Sequence, residues 1–470
     1  MKRLRQVLLW LLAIPIVLVA AYRLWHFYDP PYTPLAERML QPPRVLTEEN
    51  GYFIARGFDA PAGQDPAQAG RRLDTQFAQQ YAARERPLGE ERTDDEAVRA
   101  KERAGYGAPA LKPTFGIQDL CKWRETPCLG DIQTKAARDS ELARANAELI
   151  DRYRQLAAMP RFVDQGSAHS LNPGPRFPEI LQISYLSIAQ GALALLDGQT
   201  QRGLTAFVDD LTLWRRMASP NNPLIDRMVA IHGYARDLLL LAELFDARPE
   251  LASRSELDPV LADLSESERD FELSLRHEFR LFAHYIEGDD QAHDLMWSSG
   301  ELCPVLAALV FIPYIRALAV PRPRDSLNHY AELLHSTILF ARLPAARKRA
   351  ELKTFSEANF QRATRFACPL PRGLFNPVGR ASAAMLYDAY SQYPLRLDEL
   401  RALLQLIRLQ KRATAQRVSG AQAVSLEEPI YGPGSVSWDE QSSVLSVSGS
   451  GFGIARSLKD GKFRARVNQH

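Results

Sequence analysis

At 470 residues the chain can bury one large core or two to three smaller ones. Its 58 Lys and Arg nearly balance its 56 Asp and Glu, leaving a formal net charge of +2. That balance excludes a whole-protein electrostatic case for nucleic acid as a partner. Arginine far outnumbers lysine and alanine is abundant, a composition associated with GC-rich bacterial genomes.

The first predicted element is a transmembrane segment within residues 1–28. Lys2, Arg3 and Arg5 precede an uninterrupted apolar run over residues 7–21. At about 1.5 Å per residue that run covers about 22 Å, short of a hydrocarbon core of roughly 30 Å. Extending it to Phe27 closes the gap if Arg23 snorkels its guanidinium to the headgroups. Trp25, Phe27 and Tyr28 then fall where an aromatic belt sits, and Pro15 is tolerated mid-span. The alternative is a cleaved signal peptide, since Val19-Ala20-Ala21 ends the run in small residues. The reading adopted is a single-pass signal-anchor of a bacterial inner membrane, with Met1 cytoplasmic and the body periplasmic.

Residues 29–45 are Pro-rich and predict an extended stalk. Residues 46–133 read as an irregular, charged segment, in which 84–103 form a solvated stretch of mixed charge. None of the four cysteines has C-x-x-C spacing, so no redox motif or zinc knuckle is indicated. An even count in an oxidising compartment predicts disulfides, here Cys121–Cys128 and Cys303–Cys368, with buried free thiols as the alternative. The chain-entropy argument assigns about 2.5 kcal/mol to the short loop and about 4 kcal/mol to the long one.

Residues 134–417 predict an α-helical body. Leu142, Leu149, Ile150, Tyr153 and Leu156 recur at helical spacing and mark one apolar face. Helices are expected over 178–196, 199–219 and 224–245, each stopped by Gly, Asn or Pro, and together making αα-hairpins. The stretch 191–217 has the look of a tetratricopeptide (TPR) hairpin, although no repeat of that period recurs. A long helix is expected over 259–286, with Asp258 as N-cap and Pro259 at the first position. Further helices are expected over 325–343, 345–366, 377–389 and 394–411. The apolar run 305–320 is too short for a second span and contains Pro313 and Arg316, so a buried helix or membrane-facing patch is expected. Beyond residue 418 a small β-hairpin pairs 435–438 with 443–448, followed by a loosely held basic tail within 418–470.

The best-looking chemical cluster is on the helix around residue 284. His277 and His284 lie two turns apart on one face, with Glu287 one turn further, and could offer two imidazoles and a carboxylate to a metal. The plain alternative ends this helix at Gly288, with Asp289 or Asp290 capping the next. H-E-x-x-H, G-x-S-x-G, S-x-x-K and Walker A patterns are all absent, and Gly449 to Gly453 read as a turn. Asp209 and Asp210 point about 100° apart on a helix and cannot share a proton unaided. No cofactor is expected, and whether the chain is an enzyme stays open, the missing signatures favouring none.

The segments at residues 48–72, CKWRETPCL at 121–129, SLNHYAELLH at 326–335 and 374–410 carry a resemblance. Through them the chain resembles a group of uncharacterised single-anchor, helix-rich membrane and periplasmic proteins of proteobacteria. The resemblance implies a helix-rich periplasmic body and supplies no catalytic residues. The helix and hairpin over 395–451 are similar to a degenerate prepilin-like tail without the prepilin leader. The expected fold is therefore mainly α, and the expected function a non-enzymatic envelope scaffold or binding module. Its groove for an envelope protein partner is expected at Tyr185, Trp214 and Tyr234. The alternative is a metal-dependent envelope hydrolase using His277, His284 and Glu287.

Overall fold

The computed structural model describes residues 13, 17, 29–42, 49–82, 105–123, 127–166, 172, 174–288, 322–367, 390, 392–448 and 462–467. The expected membrane anchor falls almost wholly outside them, with Ala13 and Val17 alone described, both helical. The segments 84–103, 305–320 and 377–389, together with Cys303, Cys368 and the glycines after residue 448, also lie outside the described residues.

The described chain is mostly helical with a small antiparallel sheet. In chain order it contains α1 (Pro34–Leu40), α2 (Tyr52–Arg56), α3 (Pro66–Ala82), α4 (Cys128–Thr134), α5 (Ala136–Ala145) and α6 (Ala147–Ala158). Next come α7 (Phe177–Leu196), α8 (Thr200–Met217), α9 (Leu224–Ala247), α10 (Asp258–Leu261), α11 (Glu266–Arg269) and α12 (Glu272–Gly288). The remainder is α13 (Pro323–Ala341), α14 (Ala345–Ala367), α15 (Tyr393–Gln416), α16 (Gly420–Val424), β1 (Val436–Asp439), β2 (Val444–Ser448) and β3 (Lys462–Arg466). The chain divides into two units. One comprises Met1–Pro42, Glu278–Leu339 and Glu351–Ser391; the other Pro43–His277, Phe340–Ala350 and Gln392–His470.

In the first unit, the expected stalk is a packed element. Thr33 caps α1 by accepting the Ala36 N–H, Pro34 occupies the first helical turn, and Ala36 and Met39 are fully buried. The Asn328 side chain accepts the Thr33 N–H at 2.7 Å and donates to the Pro31 carbonyl at 2.9 Å. The Asp29 carboxylate accepts the Arg324 and Asp325 N–H groups at 3.0 Å each. Those are orphan donors at the start of α13, where a negative charge is favoured. An extended, solvated stalk would leave all of these groups to water. In the core of this unit Phe279 stacks on Tyr330 and Phe282 meets the same ring tilted.

In the second unit, residues 49–82 are ordered where an irregular segment was expected. α2 and α3 meet backbone to backbone. A Cβ on Gly70 would lie 2.0 Å from the Phe53 carbonyl oxygen, and one on Gly57 2.2 Å from that of Pro66. Buried guanidiniums then hold the loop between the two helices. Arg152 donates to the carbonyls of Phe58, Ala60 and Pro61, and fully buried Arg176 pairs with fully buried Asp59 at 3.1 Å. Gly70→Ala is expected to cost about 1–3 kcal/mol, as overpacking does. Gly130→Ala on α4, where nothing lies within 4 Å, is expected to gain up to about 1 kcal/mol of helix propensity. Urea midpoints of the two variants check the pair of opposite signs.

The apolar positions Leu142 to Leu156 expected on one helical face fall on two helices, α5 and α6. Asn146 ends α5 because its side chain donates to Leu142 O and Thr114 Oγ1, both at 2.8 Å, and accepts the Thr114 N–H at 3.0 Å. Such local bonding competes with the helix ladder. α7, α8 and α9 fall within two residues of their expected bounds at nearly every end. Among the described residues α7 alone is long and apolar enough to cross a membrane, by length and composition only. Most of its apolar stretch is buried inside the fold.

The helix expected over 259–286 is broken into α10, α11 and α12, and Asp258 is the first residue of α10 rather than its cap. Ser265 starts α11 with a reciprocal capping box to Glu268. Arg215, from α8, donates to the carbonyls of Pro259, Ala262 and Asp263 that the break releases, and forks Glu268 at 2.6 and 2.9 Å. The break is therefore stabilised by a residue about 50 positions upstream. In the C-terminal part, β1, β2 and β3 form one antiparallel sheet in that order. The basic tail is thus a strand: Phe463 and Ala465 are buried, while Lys462, Arg464 and Arg466 face out.

Candidate functional site

Small side chains decide where the second unit is not filled. Ala143 on α5, Ala147 and Ala157 on α6, Gly191 on α7 and Ala206 on α8 line a groove of about 950 Å³ between these four helices. Gly191 brings α7 against α8, since a Cβ there would lie 2.9 Å from that of Ala206. The groove is bounded by Ile150, Ser187 and Thr205, and its inner wall carries Tyr153 and Asp210.

Beneath that wall lies a buried polar network. Asp210 accepts from the Tyr153 hydroxyl, from Ser184 Oγ at 3.1 Å and from Trp214 Nε1 at 2.8 Å. Arg236 donates to Ser184 Oγ at 2.6 Å, lies 3.5 Å from Asp210 and 2.6 Å from Asp237. One guanidinium thus serves two buried carboxyls. Burial is the largest influence on Asp237 and pushes its carboxyl well up, with Arg236 pulling down and Asp210 adding to the rise. Burial opposes the charge on Arg236, yet Asp237 and Asp210 hold its guanidinium protonated. Tyr153 is pushed up by burial and by Asp210, so its phenol supplies no base or nucleophile near neutral pH. The wall is a buried network of Asp210, Tyr153, Ser184, Trp214 and Arg236.

Charge along the groove is uneven. Arg154 pairs with Asp151 at 2.9 Å. Burial raises the Asp209 carboxyl, while Arg216 acts to lower it. Arg144 donates only to Ser140 O at 3.4 Å, and Arg202 only to Gln199 Oε1 at 3.2 Å. Both are exposed, and neither has an acidic partner among the described residues. The buried Nε2 of Gln190 has no hydrogen-bond partner.

A second polar cluster joins α2 and α3 to the start of α9. Asp74 accepts from Arg56 at 3.0 Å and from the Tyr52 hydroxyl at 3.3 Å. Asp164 accepts the Gly166 N–H at 2.5 Å, and the Asp226 side chain acts to lower its carboxyl. Burial pushes the Asp164 carboxyl up to about 7; the Gly166 N–H opposes this, Asp74 adds to it, and Asp226 and Arg56 oppose it.

The aromatic groove expected from sequence does not form. Trp214 and Tyr234 are fully buried and Tyr185 nearly so. Trp214 serves Asp210, the Tyr234 hydroxyl donates to Val260 O, and the Tyr185 hydroxyl accepts the Cys121 N–H at 3.0 Å. None of the three lines the groove. His277, His284 and Glu287 do share α12, with His277 partly buried and His284 exposed. Among the described residues no group of three or more His, Cys, Asp or Glu is arranged to hold a metal ion. Cys121 and Cys128 are disulfide-bonded, with Cα atoms 5.6 Å apart. Glu243 accepts the Cys128 and Leu129 N–H groups at 3.0 and 2.7 Å, docking the start of α4 on α9. Asp209 and Asp210 diverge as helix geometry requires, one exposed and one buried. The sequence reading missed Arg144, Gln190 and Arg202. The one available signal near them was Asp210 four residues before a tryptophan, an acceptor one turn from an indole N–H.

No protein-family model matches the chain, and no curated protein or solved structure is matched by it.

Proposed function

We propose that the protein is an envelope binding module. An N-terminal anchor within residues 1–28 holds the helical body on the periplasmic face of the inner membrane. The pairs α5–α6 and α7–α8, hairpins of tetratricopeptide-like character, present their groove to a segment of a partner protein. The observation that carries this reading is the groove itself, about 950 Å³ and walled by a polar network whose members are already committed to one another. Such a cleft binds by shape and by its rim. A photo-crosslinking residue at Thr205, in the groove, is compared with one at Glu440, in the turn between β1 and β2. In intact cells the Thr205 probe is expected to give discrete adducts with envelope proteins that the Glu440 probe does not. Identical or absent adducts at the two positions would sink the proposal.

A further inference from the structure

We infer that the Cys121–Cys128 disulfide is the clasp of a strap that holds the α5 wall of the groove, so that the groove is complete only in the oxidised protein. What the groove is for rests on the binding-module reading, whereas the clasp stands on packing. α5 is the wall least able to hold itself in place. α6, α7 and α8 each bury a row of apolar side chains, whereas the one buried side chain of α5 is the Asp139 carboxyl. Burying a carboxyl brings none of the apolar gain that fixes a helix on its neighbours. Yet α5 supplies Ser140, Ala143 and Arg144 to the groove.

Contacts from the segment 114–121 do the holding instead, and they run antiparallel to α4 and α5. Thr114 pairs with Asn146, at the end of α5, through two hydrogen bonds. Asp119 is ion-paired with Arg138 in the first turn of α5, and its carboxylate also accepts the Gly116 N–H at 2.9 Å. Cys121 then reaches Cys128 at the start of α4. Upstream, the strap is tied down where the Leu111 N–H donates to the Asp59 carbonyl at 3.0 Å. Downstream it has the disulfide and the hydrogen bond from the Cys121 N–H to the Tyr185 hydroxyl. The Arg138–Asp119 pair is partly exposed, and such pairs hold little by themselves. A covalent end removes the chain entropy that would otherwise let these contacts part. Closure joins two thiols in one S–S bond. Their two electrons and two protons pass to a disulfide-bearing oxidant, which leaves as a dithiol; a dithiol reductant reverses the step through a mixed disulfide.

The test uses the full chain in detergent, carrying Cys303→Ala and Cys368→Ala so that one disulfide is followed. Hydrogen exchange of α5 and α8 is read by mass spectrometry. Removing the bond by Cys121→Ala/Cys128→Ala is expected to speed exchange of the α5 amides at least about 10-fold and leave those of α8 within about 2-fold. Dithiothreitol acting on the intact pair is expected to do the same, and oxidised glutathione to restore the protection. Asp119→Ala, which cuts the strap from α5 with the disulfide in place, is expected to speed α5 exchange by a smaller factor. Unchanged α5 exchange without the disulfide overturns the inference. Equal acceleration of α5 and α8 also overturns it, because the bond is then a general staple. If the Thr205 adducts are absent while α5 exchange follows the redox state, the clasp stands and the module reading falls. Thr205 adducts alongside unchanged α5 exchange leave the module reading standing and sink the clasp.

Discussion

Asp210→Ala is expected to lose about 3–5 kcal/mol of folding stability, the largest single-residue effect in the second unit. The side chain accepts from Tyr153, Ser184 and Trp214 and lies 3.5 Å from Arg236, all of them buried. Removing it leaves an indole N–H and a phenol without an acceptor and strips the guanidinium of one of two counter-charges. Each orphaned donor carries a desolvation cost of about 1–3 kcal/mol, partly relieved if water enters from the groove. Asp210→Asn keeps the volume but turns an amide toward groups that are themselves donors, and is expected to recover less than half of the loss. Trp214→Phe removes one hydrogen bond and is expected to cost about 1–2 kcal/mol, part of it lost packing. Equilibrium urea unfolding followed by far-UV dichroism measures all three. A loss below about 1 kcal/mol for Asp210→Ala would show that the network contributes no net stability.

The second large effect is in pH. Unfolded, Asp164 releases its proton near the ordinary value of 3.8; folded, it keeps the proton to about 7. Between those values the folded state binds more protons than the unfolded one, so stability falls as pH rises and levels off above pH 7. The slope is about 1.4 kcal/mol per pH unit for each proton held differentially. Asp246, pushed up to about 6 chiefly by burial, adds to the lower half of that window, and Asp237 works in the same direction. Carboxyls held low act oppositely. Asp119, lowered by the Gly116 N–H and Arg138, gives its stabilisation above about pH 4 and loses it below. The protein is thus expected to be most stable near pH 4–5 and to weaken toward pH 7. Asp164→Asn retains an oxygen for the Gly166 N–H and is expected to gain about 1–3 kcal/mol at pH 8 and little at pH 4.5. Melting temperatures from pH 4 to 8 check this. A wild-type profile that rises across the window, or a variant profile with unchanged slope, contradicts it.

How much of this was legible in the sequence follows the range of the interactions. α7, α8 and α9 were readable because their stops are local: Asp197-Gly198 and Asn221-Asn222-Pro223 lie where the helices end. The packing of α1 was also local in part, since Thr33 followed by Pro34 is a cap and a first-turn proline, but proline density masked it. β3 kept its alternation, Phe463 and Ala465 against three basic residues, beneath a composition that reads as a tail. The breaks flanking α11 were not readable, because Arg215, which makes them tolerable, comes from another helix. The α2–α3 contact is made by main chain at Gly57 and Gly70 and leaves no side-chain period to detect. The Cys121–Cys128 bond was legible from the even cysteine count and the short spacing of the pair. The groove was not, because a groove is space left by Ala143, Ala157, Gly191 and Ala206, and small residues carry no positive signal alone. The aromatic residues that did signal were core.

Gln410 on α15 reaches the Ala242 carbonyl, 168 positions earlier, and the Arg466 carbonyl on β3. α9 therefore emerges from a ribosome or a translocation channel long before the helix and strand that cover it. Non-local closure of this kind is slow and exposes sticky surface. Delivery in amino-to-carboxyl order thus sets the pace of maturation by the arrival of α15 rather than by any helix made before it.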